Sequence, residues 1–350
     1  METSITRLLG IEHPIIQAPI GGLSVPALAG AVSNAGGLGM MAITWMTLDE
    51  IRVAIADVRG LTDRPFGVNV IIDRSDEPQD TRVEAALEAG APIVSFFWGD
   101  PAPFVDAVHA AGAKATMTIG SAEEARRAAG AGVDVIVAQG WEAGGHVWGQ
   151  VSTLALVPAV VDAVPGTPVA AAGGITDGRG LAAAIALGAG AVWMGTRFVA
   201  SEEAPAHPHW KAKLIGASET DTYYSTLFDV GWPDAPHRTL RNQTIDGWLA
   251  AGSPSSGHRP GEGEVLATRP DGTELVRYGS TSPRDSVVGR IDDLSLWCGQ
   301  GVALVKKVLP AREIVHRTVA DAERLLAELA AAEVPAEPQT AERQAAWPAT

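Results

Sequence analysis

Short apolar segments alternate with amphipathic segments along the first two hundred residues. Eight apolar runs predict strands, at 14–19, 38–43, 66–72, 93–98, 113–119, 133–138, 168–172 and 191–195. Between them, helical spacing predicts helices at 25–34, 48–59, 80–89, 103–111, 121–129, 152–164 and 178–187. Because the runs are apolar throughout, we expect parallel strands that are covered on both faces.

Turn residues mark the ends of several predicted helices. Ser121 stands at an expected N-cap, with Glu123 and Glu124 in the first turn, and Ala-Gly pairs at 89–90, 111–112 and 129–130 suit helix C-termini. The repeated Ala-Gly pair indicates that the turns from helix to strand share one geometry. Eight such units favour an α/β fold, specifically a TIM (β/α)₈ barrel.

The alternation stops after the eighth predicted strand. Residues 201–285 are rich in Pro, Gly, Ser and charge, with helical patches at 209–215 and 239–251, before apolar periodicity returns over 294–308 and a last helix is predicted at 311–332. We expect a barrel of residues 1–200 plus 286–332, an inserted substrate or lid domain of 201–285, and a flexible tail of 333–350. An insertion at this point lies on the catalytic face of a barrel.

Composition narrows the classes of partner. The net charge is −15, which argues against binding to nucleic acid or to anionic membranes. Cys298 is the single cysteine, so no intrachain disulfide forms. No apolar run approaches the roughly 18 residues that a membrane helix needs. We expect a cytoplasmic protein whose oligomeric state is open, with a homodimer as one expectation.

A glycine-rich loop follows the sixth predicted strand and carries His146. Gly144 and Gly145 leave the imidazole without bulky neighbours, while Trp141 and Trp148 are predicted to wall a dry pocket around it. A neutral imidazole in such a place accepts a carbon-bound proton or donates to a developing oxyanion. A single histidine in a loop is more often solvated than catalytic. Packing of Trp141 and Trp148 against the inserted segment is an alternative of equal weight to lining the pocket.

Two neighbouring strand ends carry a second signal. Gly173 and Gly174 follow the seventh predicted strand, and Gly195 and Thr196 follow the eighth. Barrels commonly build phosphate sites from backbone N–H groups at these ends. One double glycine alone is more often a turn, but two adjacent ends favour a phosphate-bearing cofactor.

The sequence lacks the residue patterns of metal sites and of two common nucleotide-binding motifs. The sequence has no cysteine cluster, no helical histidine pair and no dense carboxylate loop, so no metal site is predicted. It also lacks the P-loop pattern and a Gly-x-Gly-x-x-Gly pattern after the first strand.

Five motifs resemble the nitronate monooxygenase family, also called 2-nitropropane dioxygenases. They are 14–20 (PIIQAPI), 34–39 (NAGGLG), 66–69 (FGVN), 139–146 (QGWEAGGH) and 194–198 (MGTRF). The same motifs are similar to flavin-dependent enoyl-acyl-carrier-protein (ACP) reductases of the same superfamily.

The resemblance implies an FMN enzyme that oxidises alkyl nitronates with O₂ to a carbonyl compound and nitrite, with neutral nitroalkanes as further candidate substrates. It implies His146 as the catalytic residue, taking a proton from a neutral nitroalkane or holding a nitronate anion. The cofactor-binding residues that it implies are Ala18, Pro19, Ile20, Asn69, Gln139, Gly144, Gly145, Gly173, Gly174, Met194, Gly195 and Thr196. Thr118 stands where some relatives carry a lysine or glutamine facing the flavin.

The sequence leaves three alternative functions open. An NADH-dependent enoyl-ACP reductase would use the same flavin, although the acidic chain disfavours docking of an acidic carrier protein. An NADH:quinone reductase is a second, and a non-catalytic FMN-binding protein is a third and weaker one.

Overall fold

Eight parallel strands form the central sheet of the protein. The structure is a computed structural model that describes residues 1–74 and 79–331. The strands are β1 (Ile15–Gln17), β2 (Gly39–Ala42), β3 (Phe66–Ile71), β4 (Ile93–Phe97), β5 (Lys114–Ile119), β6 (Val135–Gln139), β8 (Val169–Ala172) and β9 (Ala191–Met194). Strand β7 (Gly145–His146) lies between β6 and β8 in sequence but belongs to another sheet. The predicted tail of 333–350 and the last residue of the predicted final helix, 332, lie outside the described residues.

The sheet closes on itself. Its order is β1-β9-β8-β6-β5-β4-β3-β2, and a parallel bridge between Ile16 and Leu38 joins β1 to the segment that enters β2. The Gln17 N–H donates to the Leu38 carbonyl at 2.9 Å. This closure confirms the predicted TIM barrel.

Most of the helices cover the outside of the barrel. The helices are α1 (Ser4–Leu9), α2 (Pro26–Asn34), α3 (Leu48–Leu61), α4 (Gln79–Glu88), α5 (Ala102–Ala110), α6 (Ala122–Gly130), α7 (Thr153–Ala163), α8 (Gly178–Ala186), the short α9 (Thr196–Val199), α10 (Pro208–Gly216), α11 (Gln243–Ala250) and α12 (Ala311–Ala331). Helices α10 and α11 belong to a layer above the barrel. Helix α12 packs against α8 and α2, which makes it the late eighth helix of the barrel. Within the described ranges, no helix combines the length and apolarity that crossing a bilayer requires.

Side chains alternate between two cores along each barrel strand. Val68 and Val70 of β3 pack outward against the helices, whereas Val135, Val137 and Trp193 belong to the cluster inside the barrel. Both faces of the strands are therefore buried, as the continuous apolar runs predict.

The chain between β9 and α12 builds a separate layer above the barrel. One sheet joins β10 (Thr222–Ser225), β11 (His237–Leu240) and β7, and another joins β12 (Val265–Thr268), β13 (Glu274–Val276) and β14 (Val288–Gly289). Both sheets are antiparallel. A third hydrophobic cluster, with Trp210, Phe228 and Leu296 at its centre, fills this layer. We call residues 201–309 the cap.

One local prediction in the cap is wrong in part. The helical patch expected at 239–251 begins only at Gln243, because the preceding residues pair in β11 and the Asn242 side chain caps the helix by accepting from the Ile245 N–H at 3.1 Å. The apolar segment 294–308 contains a short 3₁₀ helix at Gln300–Leu304.

Candidate active site

A cavity of about 640 Å³ lies between the carboxyl ends of the barrel strands and the cap. This volume falls within the range of roughly 300–1,000 Å³ that is usual for small-molecule pockets. The barrel contributes mainly small and apolar residues, which include Ala18, Pro19, Ile20, Asn69, Thr118, Gln139, Gly144, Gly145, His146, Gly173, Gly174, Gly195 and Thr196. The cap contributes larger ones, which include Trp232, Arg269, Ser280, Thr281, Ser282, Arg284 and Trp297.

The cavity brings together twelve of the thirteen site residues that the sequence predicts. The exception is Met194. Its side chain is 1% exposed and packs outward among the barrel helices, because neighbouring residues of a strand point to opposite faces and Trp193 takes the inward position. Met194 reaches the site only through its backbone, since its carbonyl accepts from the Ala18 N–H at 2.9 Å.

The glycines at the strand ends differ in what they permit. Gly173 and Gly174 have φ angles of 105° and 69°, which side chains rarely adopt. A Cβ at Gly173 would lie 2.8 Å from the Thr153 hydroxyl, whereas at Gly195 the only close atom would be the Ala18 Cβ, at 3.5 Å. At Gly174 the nearest atom would be the Glu142 Cβ, at 3.6 Å, so Gly174 and Gly195 make only ordinary contacts and leave their backbone accessible, as a bound anionic group requires.

Gly144 lines the cavity and also lies against the cap backbone. A Cβ there would lie 2.2 Å from the Cys298 carbonyl carbon and from the Gly299 nitrogen. The Gly299 N–H also donates to the Thr196 hydroxyl at 3.0 Å. Gly144 therefore allows the cap backbone to approach the barrel, and its contact with a cofactor stays a prediction.

Gln139 holds the histidine loop. Its amide nitrogen donates to the His146 carbonyl at 3.1 Å, and its amide oxygen accepts from the Trp148 N–H at 2.9 Å. Gln139 thus acts on the site by fixing the backbone on both sides of the His146–Trp148 turn.

Two other polar residues of the cavity are buried. Asn69 is 5% exposed and donates to the Ser95 carbonyl at 3.2 Å, and Thr118 is 6% exposed.

His146 lies in β7, whose partner strand comes from the cap. Gly145 pairs with Arg238, and His146 pairs with His237 of β11. The Trp232 ring lies over the imidazole, with ring centroids 3.8 Å apart and planes at 31°. The Trp297 ring centroid is 5.3 Å away. The cap therefore both positions the imidazole and covers it.

Known proteins match this arrangement over most of the chain. A family model described as nitronate monooxygenase matches residues 2–321. The chain belongs to the nitronate monooxygenase family. It is therefore an oxidoreductase, in a family of enzymes that use flavin.

Individual relatives carry different activities in their names. A nitronate monooxygenase from Pseudomonas aeruginosa is 36% identical over 91% of this chain and 99% of its own. The (3aS,4S,5R,7aS)-5-hydroxy-7a-methyl-1-oxo-octahydro-1H-indene-4-carboxyl-CoA dehydrogenase of Mycobacterium tuberculosis is 41% identical over 73% of this chain and 71% of its own. The structure of FabK from Thermotoga maritima superposes with a TM-score of 0.77 at 33% identity, over 94% of this chain and 99% of that one.

The aromatic wall of the cavity comes from residues other than those predicted. Trp141 and Trp148 do not line it. Trp141 packs against Tyr224 in the cap, and Trp148 packs against Trp98 while its indole N–H donates to Glu124 at 2.7 Å.

The aromatic residues that do line the cavity are Trp45, Phe97, Trp193, Trp232 and Trp297. Trp141 therefore packs against the insertion, which is the alternative interpretation of both indoles, whereas Trp148 packs against the barrel.

Arg238 supports the histidine loop from behind. Its side chain is 2% exposed, donates to the Trp141 carbonyl at 2.9 Å, and places its guanidinium 4.3 Å from the centre of the Trp141 ring. Burial lowers the pKa of Arg238 from its usual value. Because its strand neighbour is Gly145, this side chain ties the cap to both ends of the loop that carries His146.

His237 is a structural histidine. One ring nitrogen lies 2.8 Å from the Ala235 carbonyl, and the other accepts from the Phe228 N–H at 3.1 Å. This arrangement requires a neutral ring, and burial lowers the pKa of His237 to about 4.

The cap residues of the site are not predicted from the sequence. Trp232, Trp297, Arg269 and Arg284 lie far apart in sequence, within segments without regular periodicity. The Gly-Trp pair at 231–232 is the one visible cue, since a bulky ring after a turn residue is unusual for a solvated loop.

Proposed function

We propose that this protein is an FMN-dependent nitronate monooxygenase, which oxidises alkyl nitronates with O₂ to a carbonyl compound and nitrite. The observation that carries the proposal is the position of His146. Its imidazole borders a cavity built on the strand ends of a flavoenzyme-family barrel, under an indole from the cap. The cap, including the predicted lid segment 201–285, would serve as the substrate wall.

The residues present suit FMN. Backbone at Gly173, Gly174, Gly195 and Thr196 would hold the phosphate, because Gly174 and Gly195 leave their backbone accessible there. Asn69 and Thr118 offer polar atoms deeper in the cavity, and Ala18, Pro19 and Ile20 offer a small, mainly apolar edge. When bound, FMN supplies the electron-accepting ring and the reaction with O₂.

His146 would act as the base for neutral nitroalkanes. A ring nitrogen takes the α-proton of the substrate, whose negative charge then moves onto the nitro group. Trp232 covers one face of the imidazole and excludes water from it, which keeps the proton transfer within the cavity. With a preformed nitronate no proton needs to be removed, and a protonated His146 would instead hold the anion.

The test compares two substrates on one variant. His146→Asn should lower kcat/KM for a neutral nitroalkane by about 100-fold or more, since general bases contribute on this order. The preformed nitronate should lose much less, and flavin content should not change. His258→Asn, an exposed cap histidine, serves as the control. Equal rates on the neutral substrate would remove His146 from this role.

A second candidate is a flavin-dependent oxidoreductase acting on a CoA or carrier-protein thioester, with NADH as its reductant. The 41% identity to a carboxyl-CoA dehydrogenase favours it, as does the likeness to FabK. An NADH:quinone reductase uses the same reductant. Rapid aerobic NADH oxidation with any of these acceptors, but no turnover of nitronate, would replace the first proposal by the second.

The cytoplasmic location and the homodimer stay predictions.

A further inference from the structure

Arginines and carboxylates are distributed very unevenly around the cavity. The whole chain has 41 Asp and Glu against 26 Lys and Arg. Among the described residues that line the cavity, none is Asp or Glu, whereas two are arginines, Arg269 and Arg284. In a chain of net charge −15, an anion approaching this entrance meets two positive charges and no carboxylate among the described lining residues.

Both arginines lie next to the same small sheet of the cap. Arg269 directly follows β12, and its backbone N–H donates to the Thr273 carbonyl at 2.9 Å in the turn to β13. Arg284 lies four residues before β14, which pairs with β12 through Thr268 and Val288. Pairing of β14 with β12 therefore brings both arginines to one side of the cavity. Arg284 is exposed and Arg269 is partly exposed, which places them at the entrance rather than the floor.

Apart from the buried Arg238, the other cap arginines pair with carboxylates. Arg259 pairs with Asp229 at 2.8 Å, and Arg277 pairs with Glu264 at 2.8 Å. In the described part of the chain, no carboxylate lies within ion-pair distance of Arg269 or Arg284.

The acid nearest to Arg269 in sequence, Asp271, accepts from the Thr273 N–H at 2.9 Å, and this bond, with a smaller effect of the Arg269 charge, lowers the pKa of Asp271. Two cations at one cavity entrance, each without a carboxylate in ion-pair contact, are the arrangement that binds phosphate oxygens.

We propose that Arg269 and Arg284 form an anion subsite at the cavity entrance, which binds the pyrophosphate of an adenylate-bearing reactant. The shared chemistry is adenosine diphosphate, which is present both in a CoA thioester and in a reduced nicotinamide dinucleotide. The reacting end of either molecule would extend inward, past Ser280 and Ser282, toward His146. The proposal rests on the second candidate function, because the oxidation of a nitronate by O₂ has no adenylate-bearing reactant.

The test measures binding to the flavin-loaded protein by calorimetry, with ADP, CoA, NADH and adenosine as separate probes. The variants are Arg269→Gln, Arg284→Gln and the double variant. Arg241→Gln, which removes an exposed cap arginine paired with Asp246, is the charge-matched control. ADP should bind the native protein, and the double variant should raise its Kd by about tenfold or more. Raised salt should weaken ADP binding in the native protein and less so in the double variant.

Each probe separates one explanation. Binding of CoA without NADH assigns the subsite to a thioester substrate, and the reverse assigns it to the reductant. Adenosine binding as tight as ADP, or an unchanged Kd for ADP in the double variant, overturns the proposal. Loss of flavin from the double variant also overturns it, because the arginines would then hold the cofactor. Nitronate kcat/KM is measured alongside: failure of nitronate turnover with intact ADP binding rejects the first proposed function alone.

Discussion

The two sides of the cavity differ in their charge and in their exposed backbone. The barrel side combines strand-end glycines and small apolar residues with three rings, Trp45, Phe97 and Trp193, and carries no arginine among its described residues. The cap side places two indoles and two arginines over the same space. A surface of exposed backbone suits a phosphate-bearing cofactor, whereas charged groups discriminate between substrates. We therefore expect the barrel side to hold the cofactor and the cap side to select the substrate.

Disabling the barrel side should have the largest effect. Gly174→Val forces a branched side chain into a φ of 69° next to the expected phosphate position, so the purified protein should lack visible flavin absorbance and activity. Gly112→Val is the matched control, because Gly112 has a φ of 73°, a Cβ added there would meet no atom within 4 Å, and it precedes β5, at the end of the barrel opposite to the cavity. Equal flavin loss in both variants would show that backbone strain alone is responsible.

Removing the indole above His146 should abolish much of the activity while flavin remains. Trp232→Ala opens one face of the imidazole and creates a void between cap and barrel, where Trp232 clusters with Ile71 and Ala235. We expect kcat/KM for a neutral nitroalkane to fall by roughly 10–100-fold and unfolding free energy to fall by about 3 kcal/mol.

Trp232→Phe should restore most of both quantities. If Trp232→Ala instead released the flavin, the assignment of the cap to substrate rather than to cofactor would be wrong.

The connection between the two sides is tested at Arg238. Arg238→Lys keeps the charge but loses the stacking on Trp141 and the planar fork that reaches its carbonyl. We expect a loss of about 1–3 kcal/mol in unfolding free energy, because buried groups lose their partners. A disturbed His146 loop should lower kcat more than it raises KM. A stability loss with unchanged kcat would assign Arg238 a purely structural role.

The smallest effect at neutral pH is expected at His237. Its folded pKa of about 4 lies below the unfolded value of 6.5, so the unfolded chain binds the proton more readily between these values. Stability should therefore be unaffected above pH 7 and should fall with decreasing pH, by about 3 kcal/mol at pH 4. Denaturant unfolding of His237→Gln across pH 4–7 should show a shallower acid loss. An equally steep loss would mean that other groups dominate the acid response.

The sequence is informative where physical constraints are local. Each barrel strand is buried on both faces, so Val68 and Val70 stand in a continuous apolar run, and Ser121 caps α6 by accepting from the Glu124 N–H as predicted. Glycines at strand ends mark open backbone for the same local reason. His146 is predictable because its loop directly follows β6.

The cap is less predictable because its contacts join distant segments. The aromatic cover of His146 comes from Trp232 and Trp297, whereas the neighbours in sequence, Trp141 and Trp148, turn away. The motif around Gly144 predicts a cofactor contact, but it does not reveal that Cys298, more than a hundred residues later, also lies against this glycine. Residue type alone does not reveal such pairings, since they depend on how the cap folds back onto the barrel.

The most direct test of the account is the visible absorbance of the purified protein under anaerobic conditions, with an alkyl nitronate added to one sample and NADH to another. We predict that nitronate alone removes the flavin absorbance and that NADH alone does not do so at a comparable rate. Rapid bleaching by NADH together with no response to nitronate would contradict the proposed function and identify a reductase.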